Sequence, residues 1–422
     1  MDPKIVSVVV FVLSYLFFIL LPHKRAHVAV LGALSLLLLN VMSPSDAFLA
    51  INWNVMGMFV GMLMVADVFM ESRVPAYLAE QIVNRAPNTM WAILLICAMT
   101  GFISAFVENV ATVLIVAPIA ISLAHKIKLN PMNMLIAIAV SSNLQGAGTL
   151  IGDPPSMLLG GFTGMNFMDF FFYQGRPSIF WAVEIGAIAS FIPLYFVFGR
   201  HREKALIVPA EKVRSWIPTV ILVLLIVFLA LASFIEGTSE YSAGVLCMLF
   251  GVAAVIWAWS RHDSPVIEGI KKLDWETTFF LAGIFVLVGS LTLTGWITVI
   301  STYFSGLVGG DVLLGYILIV LFSVAASAFI DNVPYLAAML PVAHSMADKM
   351  GVSPSLFLFG LLVGASLGGN ITPIGASANI VACSILKKEG HPVSFSDFMK
   401  IGVPFTAAAV LAGSIFVWFI WR

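Results

Sequence analysis

The chain has 422 residues, of which 60% are apolar and only 10% are Asp, Glu, Lys or Arg. A water-soluble domain carries about 25% charge, so this composition excludes a soluble fold, a disordered chain and a collagen-like repeat. Lys and Arg (21) balance Asp and Glu (22), which gives no footprint for nucleic acid. Cys97, Cys247 and Cys383 stand far apart in apolar runs and form neither a CxxC pair nor a disulfide framework.

A membrane span needs about 20 apolar residues. In chain order, the hydropathy predicts spans near 4–21, 27–42, 53–70, 178–199, 215–235, 241–260, 276–294 and 402–421. The run near 4–21 lacks a cleavage site and is read as a retained span. Two further runs, 131–163 and 353–387, are interrupted by Gly, Pro and polar residues and predict broken helices. Two others, 88–125 and 311–349, carry Glu108 and Asp331 at their centres and predict re-entrant hairpins. The expected fold is all-α and polytopic, with about ten transmembrane helices plus two re-entrant hairpins. The segments 74–86 and 296–307 read as amphipathic helices lying on opposite surfaces.

Basic loops mark the cytoplasmic side. Lys24 and Arg25, Lys126 and Lys128, Arg200 to Arg214, Arg261 to Lys272, and Lys387 with Lys388 fall on one side, with both termini opposite. The loops Ser43 to Asn52, Gly164 to Ser178 and Glu236 to Glu240 are poor in Lys and Arg and fall on the other.

The chain also resembles itself. Ser104-Ala105-Phe106-Val107-Glu108-Asn109-Val110 matches Ser327-Ala328-Phe329-Ile330-Asp331-Asn332-Val333, Pro118 matches Pro341, and Thr149-Leu150-Ile151-Gly152 matches Thr372-Pro373-Ile374-Gly375, all at one offset of 223. The basic loops place Trp53 and its counterpart Trp275 on opposite sides, so the two copies run in opposite directions. The predicted organisation is a first inverted repeat over 1–200, a cytoplasmic linker over 201–214 and a second repeat over 215–422. Inverted repeats with broken helices are a hallmark of secondary transporters.

Each copy has two breaks, one at acid–Asn and one rich in glycine. Irregular backbone at membrane depth needs protein or a wet cavity around it, so the four breaks are expected to gather at one site. Asn109 and Asn332 are expected to cap the helices that follow them. Glu108, Asp153 and Asp331 are the candidates for proton or cation coupling, with no Lys or Arg expected at their depth. Asn109, Thr112, Thr149, Asn332, Asn370, Thr372, Ser377 and Asn379 are the candidate substrate-binding residues. The histidines lie mostly in loops, and no HExxH, GxSxG or P-loop is present, so neither an enzyme, a cofactor nor a metal site is expected. A channel is the alternative from another class.

The stretches SAFVENVATVLIVAPIAISLA, NLQGAGTLIGDPPSMLLG, SAFIDNVPYLAAMLPVA and GASLGGNITPIGASANIVA resemble the signatures of the ion transporter superfamily. They are most similar to its arsenite permease and sodium/proton antiporter branch, which includes the melanosomal P protein. The resemblance covers residues 25–421. It implies a scaffold and a transport unit of two hairpins and two broken helices that moves as an elevator, often in a homodimer. It also implies a bacterial or archaeal inner-membrane location and, in some relatives, a cytoplasmic ATPase subunit. Site positions carried over by the resemblance are Asn109, Thr149, Asn332 and Thr372. An acid at each tip would repel a dianion. The expected cargo is therefore arsenite or antimonite as the neutral hydroxide, exported in exchange for protons. Sodium/proton exchange is the second reading and a small anion or carboxylate the third.

Overall fold

The computed structural model describes residues 2–127, 129–204, 211–235, 241–261, 271 and 273–422. Lys128, the middle of the linker, the loop 236–240 and most of the basic loop 261–272 lie outside the described residues.

Long apolar helices dominate. α1 (Pro3–Leu20), α2 (Arg25–Leu38), α3 (Pro44–Ala50) and α4 (Trp53–Glu71) open the chain. α5 (Val74–Arg85), α6 (Thr89–Ser104), α7 (Asn109–Lys126), α8 (Met132–Gly146), α9 (Pro154–Thr163) and α10 (Ile179–Phe198) complete the first half. The second half holds α11 (Ile217–Ala232), α12 (Ser242–Ser260), α13 (Trp275–Leu293), α14 (Trp296–Leu307), α15 (Val312–Ser327), α16 (Asn332–Met350), α17 (Pro354–Gly368), α18 (Ser377–Lys388) and α19 (Phe395–Trp421). The only strands among the described residues are Phe172–Tyr173 and Arg176–Pro177, joined by a tight turn in which Gln174 and Gly175 have positive φ. The fold is therefore all-α and polytopic, as the sequence predicts.

Eight helices among the described residues are long and apolar enough to cross a bilayer. These eight include α7 and leave out the interrupted pair α8 and α9 as well as α2, α6 and α11, which are apolar but shorter. α14, one of the two expected amphipathic segments, turns by 119° into α15. Each run expected to form a hairpin is two helices around a four-residue break: α6 and α7 around 105–108, α15 and α16 around 328–331.

Lipid offers no hydrophobic drive between helices, so small residues must bring backbones close enough for dispersion contacts. α4 and α12 meet in this way. A Cβ on Gly61 would lie 2.3 Å from the carbonyl carbon of Cys247. α2 seats on α13 where Gly283 faces Ala29. α8 and α17 form the interior. Every residue from Ser355 to Gly368 is buried, which suits a helix apolar all round.

Candidate functional site: an acid-lined cavity between two helix breaks

The tips are built from short polar bonds that recur at the offset of 223. Ser104 Oγ donates to Asn109 Oδ1, and Ser327 Oγ donates to Asn332 Oδ1. Thr149 Oγ1 donates to the carbonyl of Ala105, and Thr372 Oγ1 to that of Ala328. Thus each glycine-rich break is tied to its own acid–Asn tip. The ties demand close backbone approach. A Cβ on Gly152 would lie 2.3 Å from the Gly146 carbonyl oxygen, and one on Gly375 2.5 Å from that of Gly369.

The expected capping by asparagine is corrected here. The acids are the N-caps: Glu108 accepts from the Ala111 N–H at 2.9 Å and Asp331 from the Val333 N–H at 3.1 Å. Asn109 and Asn332 are the first helical residues, because the preceding acid holds the extended backbone a cap requires (ψ 135° and 136°). Asp153 caps α9 through a reciprocal pair with Ser156 and also accepts from the Asn109 side chain. Its counterpart Ala376 leaves the start of α18 without a side-chain cap.

These ends surround a cavity of about 300 Å³. Its wall includes Glu108, Asn109, Asp153, Asp331, Asn332 and Ser377 from the expected set, together with Arg25, Asn143, Asp274 and Thr277. The expectation that no Lys or Arg reaches the acids is therefore wrong. Arg25 Nη1 lies 2.5 Å from Asp331 Oδ2, Nη2 donates to Thr277 Oγ1 at 3.2 Å, and the guanidinium sits 5.1 Å from the centre of the Phe280 ring. Thr277 Oγ1 in turn donates to Asp274 at 2.5 Å. The sequence reading assigned Arg25 to a loop. The loop is a short 3-10 turn, Pro22–Lys24, and Arg25 is already the first residue of α2.

The other expected substrate residues lie behind the wall. Thr112 is buried and donates to the Glu108 carbonyl at 3.1 Å. Thr149 and Thr372 are fully buried, with their hydroxyls engaged as described. Asn370 and Asn379 are also fully buried. They meet at Asn143, whose Nδ2 donates to Asn370 Oδ1 at 3.0 Å and to Asn379 Oδ1 at 2.9 Å. Asn379 Nδ2 reaches the carbonyls of Gly369 and Thr372, both at 3.0 Å. Asn143 therefore clips a helix of the first half to the break of the second. Its signal in the sequence was the polar run Ser141-Ser142-Asn143 inside an apolar helix. Arg25, Asp274 and Thr277 sit at helix starts and gave no such signal.

A larger hollow of about 710 Å³ lies between the start of α4, the end of α9 and the facing ends of α11 and α12. No charged side chain lines it among the described residues, so the smaller cavity carries the site's chemistry. No group of His, Cys, Asp or Glu that could hold a metal ion occurs among the described residues.

Known proteins align with this architecture. The sequence profile of the citrate transporter family, CitMHS, matches residues 15–364 and 317–422. An uncharacterised transporter of Mycobacterium tuberculosis is 30% identical over 429 residues, covering 98% of both chains. An uncharacterised transporter of Synechocystis is 27% identical over 94% of both. The mouse P protein is 26% identical over 84% of this chain and 52% of its own. The backbone is similar to the Alcanivorax borkumensis YdaH transporter, with a TM-score of 0.64 at 13% identity over 99% and 97% of the two chains. It is also similar to Neisseria gonorrhoeae MtrF, with a TM-score of 0.55 at 15% identity over 86% and 81%. Taken with the broken helices and their shared cavity, the sequence matches show that this chain belongs to the citrate transporter family of the ion transporter superfamily and is a multi-pass secondary transporter.

Proposed function

We propose that the chain couples a proton or sodium ion to the movement of a small polar solute across the cytoplasmic membrane. Its two halves would act as inverted repeats around the acid-lined cavity. One observation carries this reading: Glu108, Asp153, Asp274 and Asp331 line one space of about 300 Å³, in which Arg25 is the only basic residue among the described ones. Carboxylates at membrane depth are costly, and their usual use is to carry protons or ligate cations. A free polyanion would be repelled by this wall, so the cavity favours a neutral or cationic cargo.

Trivalent arsenic or antimony as the neutral hydroxide fits that charge balance, and the tip asparagines and acids supply partners for its hydroxyls. Arg25 removes one reason for that cargo, the lack of a basic anchor. The excess of acids leaves the other reason standing. Export of a neutral solute against one entering proton gains about 2.3 kcal/mol per ~100 mV, enough to hold a gradient of roughly 40-fold. Sodium/proton exchange is the second reading, favoured by the same carboxylates acting alone.

Everted vesicles decide between them. The proposal expects arsenite accumulation that collapses with a protonophore and is absent from vesicles lacking the chain. Sodium-driven proton release without arsenite uptake would install the second reading. Citrate uptake with no dependence on protons or sodium would refute both.

A further inference from the structure

The ion pair of the cavity joins two different parts of the fold. Arg25 begins α2, which is seated on α13 through the Ala29–Gly283 contact. Asp331 caps α16 at the hairpin tip. The pair is made by one nitrogen and one oxygen, since Asp331 Oδ1 is occupied by the Val333 N–H. A guanidinium usually grips a carboxylate with two parallel bonds, so a single bond is easier to break. The released cation would not be left bare. The Phe280 face already lies beneath it, and the chain from Thr277 Oγ1 leads to the carboxylate of Asp274.

We propose that Arg25 is a tethered cation that occupies Asp331 while the site is empty, and that the coupling cation must displace it toward Asp274 to free the hairpin from the α2–α13 block. This deepens the coupling reading and rests on it. Two otherwise separate observations then share one cause: the acid at the hairpin tip has a basic partner, and that partner has a second carboxylate within reach through one hydroxyl. The charged groups facing Asp331 across the cavity are Arg25 from α2, Asp274 from the start of α13, Glu108 from the other tip and Asp153 from the broken helix. All but Arg25 are acidic, so among the described residues Arg25 is the one built-in competitor for a cation.

The test measures the half-saturating concentration of the coupling cation. It uses the full chain in proteoliposomes, titrated with sodium, or with protons where sodium has no effect. Sodium- or proton-induced thermal stabilisation of the purified chain gives a second readout. Arg25→Gln should lower the half-saturating concentration about fivefold, the equivalent of ~1 kcal/mol for a partly exposed pair. Arg25→Lys keeps the charge and the single contact and should stay near the wild-type value. A purely structural Arg25 would cut the maximal rate and leave that concentration unchanged or raised; either result overturns the proposal. So does weaker citrate binding in Arg25→Gln with unchanged cation affinity, since Arg25 would then be an anion anchor. If wild-type vesicles move no solute while the stabilisation by cation still sharpens in Arg25→Gln, the tethered-cation proposal stands and the transport reading fails.

Discussion

Asn143→Leu should destabilise the chain by about 3 kcal/mol and abolish transport. Leucine keeps the branched outline of asparagine but is bulkier and offers no donor, so Asn370 Oδ1 and Asn379 Oδ1 would both lose the partner they share. A buried acceptor left without a donor costs about 1–3 kcal/mol. Both asparagines are fully buried, so water cannot replace the lost bonds. The damage is directional as well as energetic. Asn370 also donates to the Val140 carbonyl at 3.1 Å, and Asn379 holds the carbonyls of Gly369 and Thr372. Losing Asn143 therefore loosens the break that positions Ser377 at the cavity. Thermal unfolding in detergent measures the first effect and vesicle uptake the second. Wild-type stability in Asn143→Leu would show that the clip contributes nothing.

The second large effect concerns helix packing rather than polar chemistry. At Gly61 an added Cβ would meet Cys247 C at 2.3 Å, Cys247 O at 2.4 Å and Met248 N at 2.6 Å. All three are backbone atoms, so no side chain can turn aside and α4 must move away from α12. Overpacking of this kind costs typically about 1–3 kcal/mol. Gly61→Ala should fall at the upper end of that range, and Gly61→Leu should fail to accumulate in the membrane. Function should suffer too, because α4 places Phe59 and Leu63 in the cavity wall. Gly306→Ala is the control, since nothing lies within 4 Å of its added Cβ. Equal melting temperatures for Gly61→Ala and Gly306→Ala would contradict the close contact.

The sequence already displayed the parts of the site that repeat. The offset of 223 reappears in the bonds Ser104–Asn109 and Ser327–Asn332, and in the ties from Thr149 and Thr372 to the tip carbonyls. Two copies of a motif reveal a local constraint, and these bonds are local within each copy. Two of the residues that remained hidden, Arg25 and Asn143, have no like residue at a matching position in the other half. Arg25 lies before the stretch over which the two copies match, so nothing in the register singled it out. Asn143 joins the halves to each other, and its partner position is Ser366. Such cross-contacts are set by tertiary packing, which periodicity does not encode. The misplaced cap at the second tip had a simpler origin: Asp and Asn cap helices about equally well, so Asp331-Asn332 does not say which residue lies outside the helix, whereas at Glu108-Asn109 the cap falls on the residue type that favours it less.

The same distinction explains where the expected binding residues ended up. Thr149, Asn370 and Thr372 lie in the helix breaks and Asn379 in the first turn of α18. Their polarity is consumed within the breaks themselves, as backbone freed from a helix must find partners in a membrane. The groups that line the cavity are chiefly the acids and the tip asparagines, which keep a face on it while capping helices or bonding within the tips.

In the proposed mechanism the carboxylates around this cavity carry the coupling cation. The most direct measurement is cation-dependent uptake in everted vesicles by Glu108→Gln, Asp153→Asn and Asp331→Asn, each normalised to inserted protein. Coupled uptake should fall at least about tenfold in each variant, the equivalent of ~1.4 kcal/mol, with insertion unchanged. Uptake that keeps its full rate and its full dependence on protons or sodium in all three would contradict the claim.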